Sequence, residues 1–141
     1  MNLAEKQQIL VSDLNLISDP HERLSAVVGQ ASARGLPDSQ KTDVFRVSGC
    51  VSSVWLVGTA QDGKCYFRCD ADSPMVKGLV TLLCELYSGA TPEEVEQVNP
   101  DVWTLCGFDR LLSPTRMNGL RAVRERIRAL AGQMNESPPS E

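Results

Sequence analysis

The hydrophobic positions near both ends of the chain recur with the spacing of amphipathic helices. Apolar residues fall three, four or seven positions apart in the first thirty residues and again over the last thirty. Asp19-Pro20 and Ser113-Pro114 are typical helix starts, because the polar side chain can cap the free backbone N–H groups and proline suits the first turn. We therefore predict helices over Leu3–Ile17, from Pro20 to just before Gly35, and over 114–133.

The middle of the chain has the pattern of a β-hairpin. Val51–Thr59 is rich in Val, Trp and Thr, which favour strands, and Asp62-Gly63 suits a tight turn. In the returning strand, Cys65–Cys69, every second residue is apolar, so one face is expected to be buried. Val44–Val47 is a further short strand in this interpretation.

A strongly apolar helix is predicted after the hairpin, with Asp72 or Ser73 as its cap and Leu86 near its end. Thr91 to Glu94 forms a capping box that opens a short helix, and residues 102–112 are predicted to form short helical turns. The order predicts an α+β fold in which a small antiparallel sheet of about three strands packs with helices from both ends of the chain. Residues 1–134 are one expected domain, and 135–141 a disordered tail.

Composition narrows the class of protein. The 141 residues are 42% hydrophobic and 23% charged, which is ordinary for a globular domain, and the net charge of −4 argues against a nucleic-acid binder. No apolar run approaches the roughly 20 residues that span a bilayer, so we expect no membrane association. The first eight residues lack the layout of a secretory signal, and we expect a cytoplasmic protein whose five cysteines are thiols.

The candidate reactive residue is Cys50, which follows Gly49 and precedes the predicted hairpin. A thiol on a turn is accessible to another protein, whereas most free cysteines are packed structural residues, and the local sequence leaves both interpretations open. Hydrolysis is disfavoured because a nucleophilic cysteine usually needs a histidine base, and nothing connects the single histidine, His21, to Cys50.

Three stretches, in order, resemble the SufE family of sulfur acceptors: Val47-Ser48-Gly49-Cys50-Val51-Ser52-Ser53-Val54-Trp55, Asp70-Ala71-Asp72-Ser73-Pro74-Met75-Val76-Lys77-Gly78-Leu79, and Leu112-Ser113-Pro114-Thr115-Arg116-Met117-Asn118-Gly119-Leu120. Leu36-Pro37 and the capping box at Thr91 also resemble it. The likeness runs from the first helix to about Leu130 and implies a SufE/IscU-like fold.

The resemblance also implies a function. Cys50 would accept persulfide sulfur from a pyridoxal-phosphate-dependent cysteine desulfurase (SufS/CsdA-like), stimulate that enzyme and pass the sulfur to a downstream iron–sulfur scaffold complex. The acceptor would be no enzyme itself and would need no cofactor or metal. Arg116 and Asp72 would lie near Cys50, where a cation favours the thiolate. An Asp72–Arg116 ion pair, or capping by Asp72, is the structural alternative.

Other interpretations stay open at this point. The main alternative is a scaffold that binds an iron–sulfur cluster or zinc through Cys50 together with Cys65, Cys69 or Cys106. Shelter of the resting thiol by apolar neighbours is a further expectation, with Val47, Val51 and Leu79 as candidates. The arginines of the last helix are either a docking face for an acidic partner or a solvated surface. The sequence assigns no role to the remaining cysteines, which include Cys84.

Overall fold

The computed structural model describes residues 1–136, which form six α-helices around one β-hairpin. The elements are α1 (Leu3–Leu14), α2 (Pro20–Ala31), β1 (Val54–Gln61), β2 (Lys64–Ala71), α3 (Pro74–Tyr87), α4 (Pro92–Gln97), α5 (Val102–Leu105) and α6 (Pro114–Glu136). Single 3-10 turns lie at Asp38–Gln40 and Phe108–Arg110. Of the predicted tail 135–141, the first two residues continue α6, and the others lie outside the described residues.

The helix starts follow the capping chemistry of the sequence. The Asp19 side chain accepts from the backbone N–H of His21 at the start of α2. At the start of α3 the cap is Ser73, whose hydroxyl accepts from Val76 N. Both hydrogen bonds of the capping box at Thr91 are present in α4. These side chains satisfy N–H groups that the first helical turn leaves without a backbone partner.

The hairpin has the predicted turn and the predicted buried face. β1 and β2 pair antiparallel from Val54↔Ala71 to Gln61↔Lys64, and Asp62 and Gly63 occupy the turn with φ of 53° and 78°. Along β2, the inward side chains are Cys65, Phe67 and Cys69, and the alternate residues Lys64, Tyr66 and Arg68 are exposed, whereas Asp70 is buried.

The sheet has two strands where about three were predicted. Val44–Val47 forms no strand, and a single bridge from Arg46 to Trp55 remains of it. β1 begins at Val54, three residues later than predicted, because β2 ends opposite it at Ala71. Beyond that pair, a single backbone hydrogen bond, from Asp72 N to Ser53 O, continues the pairing in the described chain.

Helix α3 packs across the hairpin, as predicted, and supplies most of the core. Nine of its fourteen residues are buried, and it contacts β2, α1, α2 and α6. Helix α6 packs against α4 and both strands, and Leu120, Val123 and Ile127 are the buried centre of its predicted apolar seam. None of the described helices is both long enough and apolar enough to cross a lipid bilayer.

Helices α2 and α3 approach closely at Gly78. A Cβ atom built on Gly78 would lie 2.8 Å from Val28 Cα, which is backbone and has little room to move. By contrast, a Cβ atom built on Gly29, in α2, would have no atom within 4 Å. The two glycines therefore separate the steric requirement of the α2–α3 contact from the general cost of glycine in a helix.

We predict that Gly78→Ala lowers the free energy of unfolding by about 1–3 kcal/mol, because α2 and α3 must move apart. The matched variant Gly29→Ala should leave it unchanged or raise it by up to about 1 kcal/mol, since alanine is the better helix former. Urea denaturation followed by circular dichroism measures both. Equal effects of the two substitutions would contradict a close α2–α3 contact.

Candidate functional site

Cys50 lies in the loop of residues 48–53, which follows the segment that forms the Arg46–Trp55 bridge and precedes β1. Gly49 has a φ of +90°, in the region that favours glycine, and a Cβ atom there would lie 3.2 Å from Ala122 Cβ of α6. A side chain at Gly49 would thus be strained and crowded. This glycine lets the loop press Cys50 against the surface of α6.

The Cys50 side chain faces a cavity of about 250 Å³ between α3 and α6. Its thiol donates a hydrogen bond to the backbone carbonyl of Gly119, with a sulfur–oxygen distance of 3.5 Å. A Cβ atom on Gly119 would lie 3.8 Å from the sulfur, which is an ordinary contact distance, so the thiol packs directly on this part of α6. The apolar lining of the cavity is Val76, Leu79, Val80, Leu120 and Val123.

Partial burial sets the electrostatics of this thiol. The Cys50 side chain is half-buried, and desolvation raises the pKa of its thiol above the ordinary value. Arg116, predicted to lie near the thiol, does line the same cavity from the first turn of α6, and its side chain is exposed. Within residues 1–135, no carboxylate lies within ion-pair distance of that guanidinium. Arg116 is therefore available to a group outside the domain.

Asp72 lies elsewhere. It is exposed and borders a separate shallow cleft with Val28, Ser32 and Lys77, and it makes no ion pair with Arg116 in the described chain. Its backbone N–H donates to the carbonyl of Ser53, at 3.1 Å, so Asp72 reaches the Cys50 loop through its main chain only.

The carboxylate that shapes this region is Asp70, which the sequence did not single out. It accepts from the backbone N–H groups of Leu36 and Ala71 and lies 3.6 Å from the Lys77 ammonium. Burial alone would raise the pKa of Asp70, but these partners outweigh it, and the pKa lies below the usual value. Asp70 occupies an outward position of a strand, and the sequence around it gave no sign that it is buried. Residues 35–36, which cover it, are distant in sequence.

The residues expected to shelter the thiol differ in position. Leu79 lines the cavity at the inner side of Cys50. Val47 is buried in the main core, 3% exposed, and its N–H donates to Val54 O. Val51 also borders the cavity, but it is 85% exposed and covers the thiol little.

The arginines of α6 do not form one uniform face. Arg124 is buried, stacks 4.6 Å from the ring centre of Tyr87 and donates to Val98 O. Arg121 bonds to Asn118, and Arg128 lies 3.8 Å from Glu125, both on the surface. Arg124 is thus part of the core, and only its exposed neighbours remain candidates for a docking face.

The structure separates Cys50 from the other cysteines. Cys65 and Cys106 are fully buried, Cys69 and Cys84 lie between β2 and α3, and none of the four lines the Cys50 cavity. In the described part of the chain, no three His, Cys, Asp or Glu side chains are grouped so as to hold a metal ion. The geometry therefore gives no support to the scaffold alternative.

Comparisons with known proteins identify a family. The family model for SufE, described as an Fe-S metabolism associated domain, matches residues 8–131. A SufE-like protein of Synechocystis sp. is 36% identical over 123 residues, which cover 85% of this chain and 77% of that protein. The sulfur acceptor protein CsdE of Escherichia coli is 35% identical over 105 residues, or 70% of this chain and 69% of that one.

A solved structure shows the same fold. The solution structure of a hypothetical protein from Thermus thermophilus superposes with a TM-score of 0.73 and covers 96% of both chains at 22% identity. The family model covers most of the chain, the sequence identity to these relatives exceeds 30%, and the fold is consistent with both. On these grounds the chain belongs to the SufE family.

Proposed function

We propose that Cys50 accepts sulfur from the persulfide of a pyridoxal-phosphate-dependent cysteine desulfurase and passes it on for iron–sulfur cluster assembly. The observation that carries the proposal is the half-buried Cys50 thiol, held on a short loop against a cavity that no other cysteine lines. The family description, Fe-S metabolism, and the name of CsdE, a sulfur acceptor protein, support the same chemistry.

The transfer is an exchange between two sulfur atoms. The Cys50 thiolate attacks the outer sulfur of the donor's R–S–SH group, the bond between the donor's two sulfur atoms breaks, and Cys50–S–SH forms. The donor leaves as a thiolate and takes up the proton that Cys50 gave. No net oxidation occurs, so the acceptor needs no redox cofactor. Removal of the product persulfide would free the desulfurase for another turnover and so stimulate it.

The cavity suits the product of this step. Its volume of about 250 Å³ exceeds the space of a single additional sulfur atom, and its walls are largely apolar. A persulfide on Cys50 could turn inward between Leu79 and Leu120, where solvent thiols have little access. Shelter of this kind would keep the sulfur from exchange with small thiols, such as those of a reducing cytoplasm, until a downstream scaffold complex accepts it.

The resting loop must open for the exchange to run. The raised pKa of Cys50 keeps the thiol protonated near neutral pH, and the thiol is a poor nucleophile. In the described chain, the only hydrogen bond between residues 48–52 and the rest of the domain is the one from the Cys50 thiol to Gly119. A partner that draws the loop outward would therefore break one weak hydrogen bond and return the sulfur to water.

Site-resolved mass spectrometry tests the acceptor role. After incubation with a cysteine desulfurase and cysteine, wild-type protein should gain one sulfur mass on the tryptic peptide 47–64, in which Cys50 is the single cysteine. Cys50→Ser should gain none, whereas the matched variant Cys65→Ala, in the buried core, should gain as much as wild type. Equal addition to Cys50→Ser, or none to wild type beside an active desulfurase, would reject the proposal.

The sheltered resting state predicts slow alkylation. Iodoacetamide should modify Cys50 more slowly than the same cysteine in urea-unfolded protein, because the folded pKa is raised and the thiolate fraction is smaller at any given pH. The rate should rise with pH, with a midpoint above that of the unfolded chain. Addition of desulfurase should accelerate the reaction. A folded-state rate equal to the unfolded one, without partner, would exclude a sheltered thiol.

Arg116 should assist once the loop is open, since its cation can stabilise the negative charge on the attacking sulfur. Arg116→Ala is expected to slow sulfur transfer about fivefold, the effect of roughly 1 kcal/mol from one exposed charge. Arg128→Ala, which removes an exposed arginine further along α6, is the control and should have less than half that effect on the rate. Indistinguishable transfer rates for the two variants would assign Arg116 no part in the exchange.

A further inference from the structure

The Cys50 loop is held at its base by two backbone hydrogen bonds. Before the loop, Val47 N donates to Val54 O at 2.8 Å, and at the end of the loop Ser53 O accepts from Asp72 N at 3.1 Å. The first bond lies between the segment before the loop and the start of β1. The second bond joins the loop to the short connection between β2 and α3, so the position of the loop depends on how that connection is fixed.

The carboxylate of Asp70 fixes this connection. Its Oδ1 accepts from the backbone N–H of Ala71 at 2.8 Å, and its Oδ2 accepts from the backbone N–H of Leu36 at 3.1 Å. The ammonium group of Lys77, the fourth residue of α3, lies 3.6 Å from Oδ1. Asp70 is 8% exposed. One buried side chain therefore connects the end of β2, the segment after α2 and the start of α3.

The carboxylate is closely packed and charged. A Cβ atom built on Gly35 would lie 2.7 Å from Asp70 Oδ2, so an alanine at this position would push the carboxylate out of place. Burial opposes the ionisation of Asp70, but the two backbone N–H groups and the Lys77 ammonium outweigh it and hold the pKa of Asp70 below its usual value. Asp70 is thus ionised at neutral pH, and a neutral side chain could not make the same set of contacts.

We propose that Asp70 is a positioning residue, which acts through Asp72 to keep the Cys50 loop closed against α6. The inference deepens the proposed function and rests on it for its meaning, since the closed loop is the state that would protect a persulfide on Cys50. It gives the loop a second attachment besides the hydrogen bond to Gly119, and this attachment lies outside the cavity.

The path from the carboxylate to the loop is short. The bond at Oδ1 fixes the backbone that follows Asp70, and two residues later the N–H of Asp72 donates to Ser53 O. The contact with Lys77 fixes the first turns of α3, where the adjacent Val76 lines the Cys50 cavity. Loss of the carboxylate charge would therefore loosen the base of the loop and one wall of the cavity together.

Alkylation of Cys50 tests the inference without any sulfur transfer, so that its failure is distinguishable from failure of the acceptor role. Asp70→Asn keeps the size of the side chain and removes its charge. Without desulfurase, iodoacetamide should modify Cys50 about fivefold faster in this variant than in wild type, since a lost charge-assisted hydrogen bond lets the loop open more often. The rate is measured on the tryptic peptide 47–64 under native conditions.

Cys65 serves as an internal control for unfolding in the same sample. It is 0% exposed and is the single cysteine of the tryptic peptide 65–68. If Asp70 had a merely structural role, its substitution would promote unfolding of the whole domain and add the same rate of alkylation to both thiols. The inference requires an added rate at Cys50 that Cys65 does not show.

Glu94→Gln is the matched variant away from the loop. The Glu94 carboxylate likewise accepts from two backbone N–H groups, those of Leu3 and Thr91, at 2.9 and 3.2 Å. Glu94 lies in α4, apart from the residues that line the Cys50 cavity. Its substitution should lower the stability of the domain, as Asp70→Asn does, but should leave the alkylation of Cys50 unchanged.

Lys77→Met is the second test, and it decides the question if Asp70→Asn does not fold. It removes the ammonium and leaves both N–H bonds to Asp70 in place, so Cys50 should be alkylated faster than in wild type by a smaller factor. The proposal would be overturned by a wild-type rate at Cys50 in either folded variant, by an added rate that Cys65 shares, or by an equal rise in Glu94→Gln.

Discussion

The structure depends on the packing of α3 across the β-hairpin. A two-stranded sheet is marginal in water, so Phe67 and the other inward residues of the hairpin require an apolar cover. Helix α3 provides it, and its remaining buried faces contact α2 and α6. Several elements cover α3, and they leave a gap on the side of α3 that faces α6. The Cys50 cavity lies in that gap between α3 and α6, and the loop before β1 closes it.

The parts of the fold that the sequence predicted are those fixed by local chemistry. The caps at Asp19 and Thr91 depend on a polar side chain and backbone N–H groups within three residues of it. The buried face of β2 follows from side-chain alternation, and the turn at Asp62-Gly63 from the positive φ that these residues tolerate. The loop that carries the candidate Cys50 was identifiable because Gly49 precedes the cysteine and the motif resembles a known family.

The features that the sequence did not predict correctly depend on contacts between distant segments. Val51 favours a strand by its side chain, but β2 ends at Ala71, and the one hydrogen bond beyond it, from Asp72 N to Ser53 O, does not extend the pairing to Val51 in the described chain. The family resemblance also made Asp72 the acidic candidate, while Asp70 is the carboxylate that bonds to Leu36 and Lys77. The burial of Asp70 is caused by a segment more than thirty residues earlier, and no pattern around position 70 records it.

The cysteines show how surroundings decide what one residue type can do. Cys65 and Cys106 are 0% exposed, and burial raises the pKa of both, so they act as small apolar core residues. Cys50 is half-buried, and in the described chain one hydrogen bond, from its thiol to Gly119 O, joins residues 48–52 to the rest of the domain, which suits the proposed control of its reactivity by a partner. In the proposed function its burial is a temporary protection, which ends when the loop moves. A thiol that carries sulfur between proteins needs both protection and access. It must be protected from solvent while it holds the sulfur, and it must be accessible to the donor and to the acceptor.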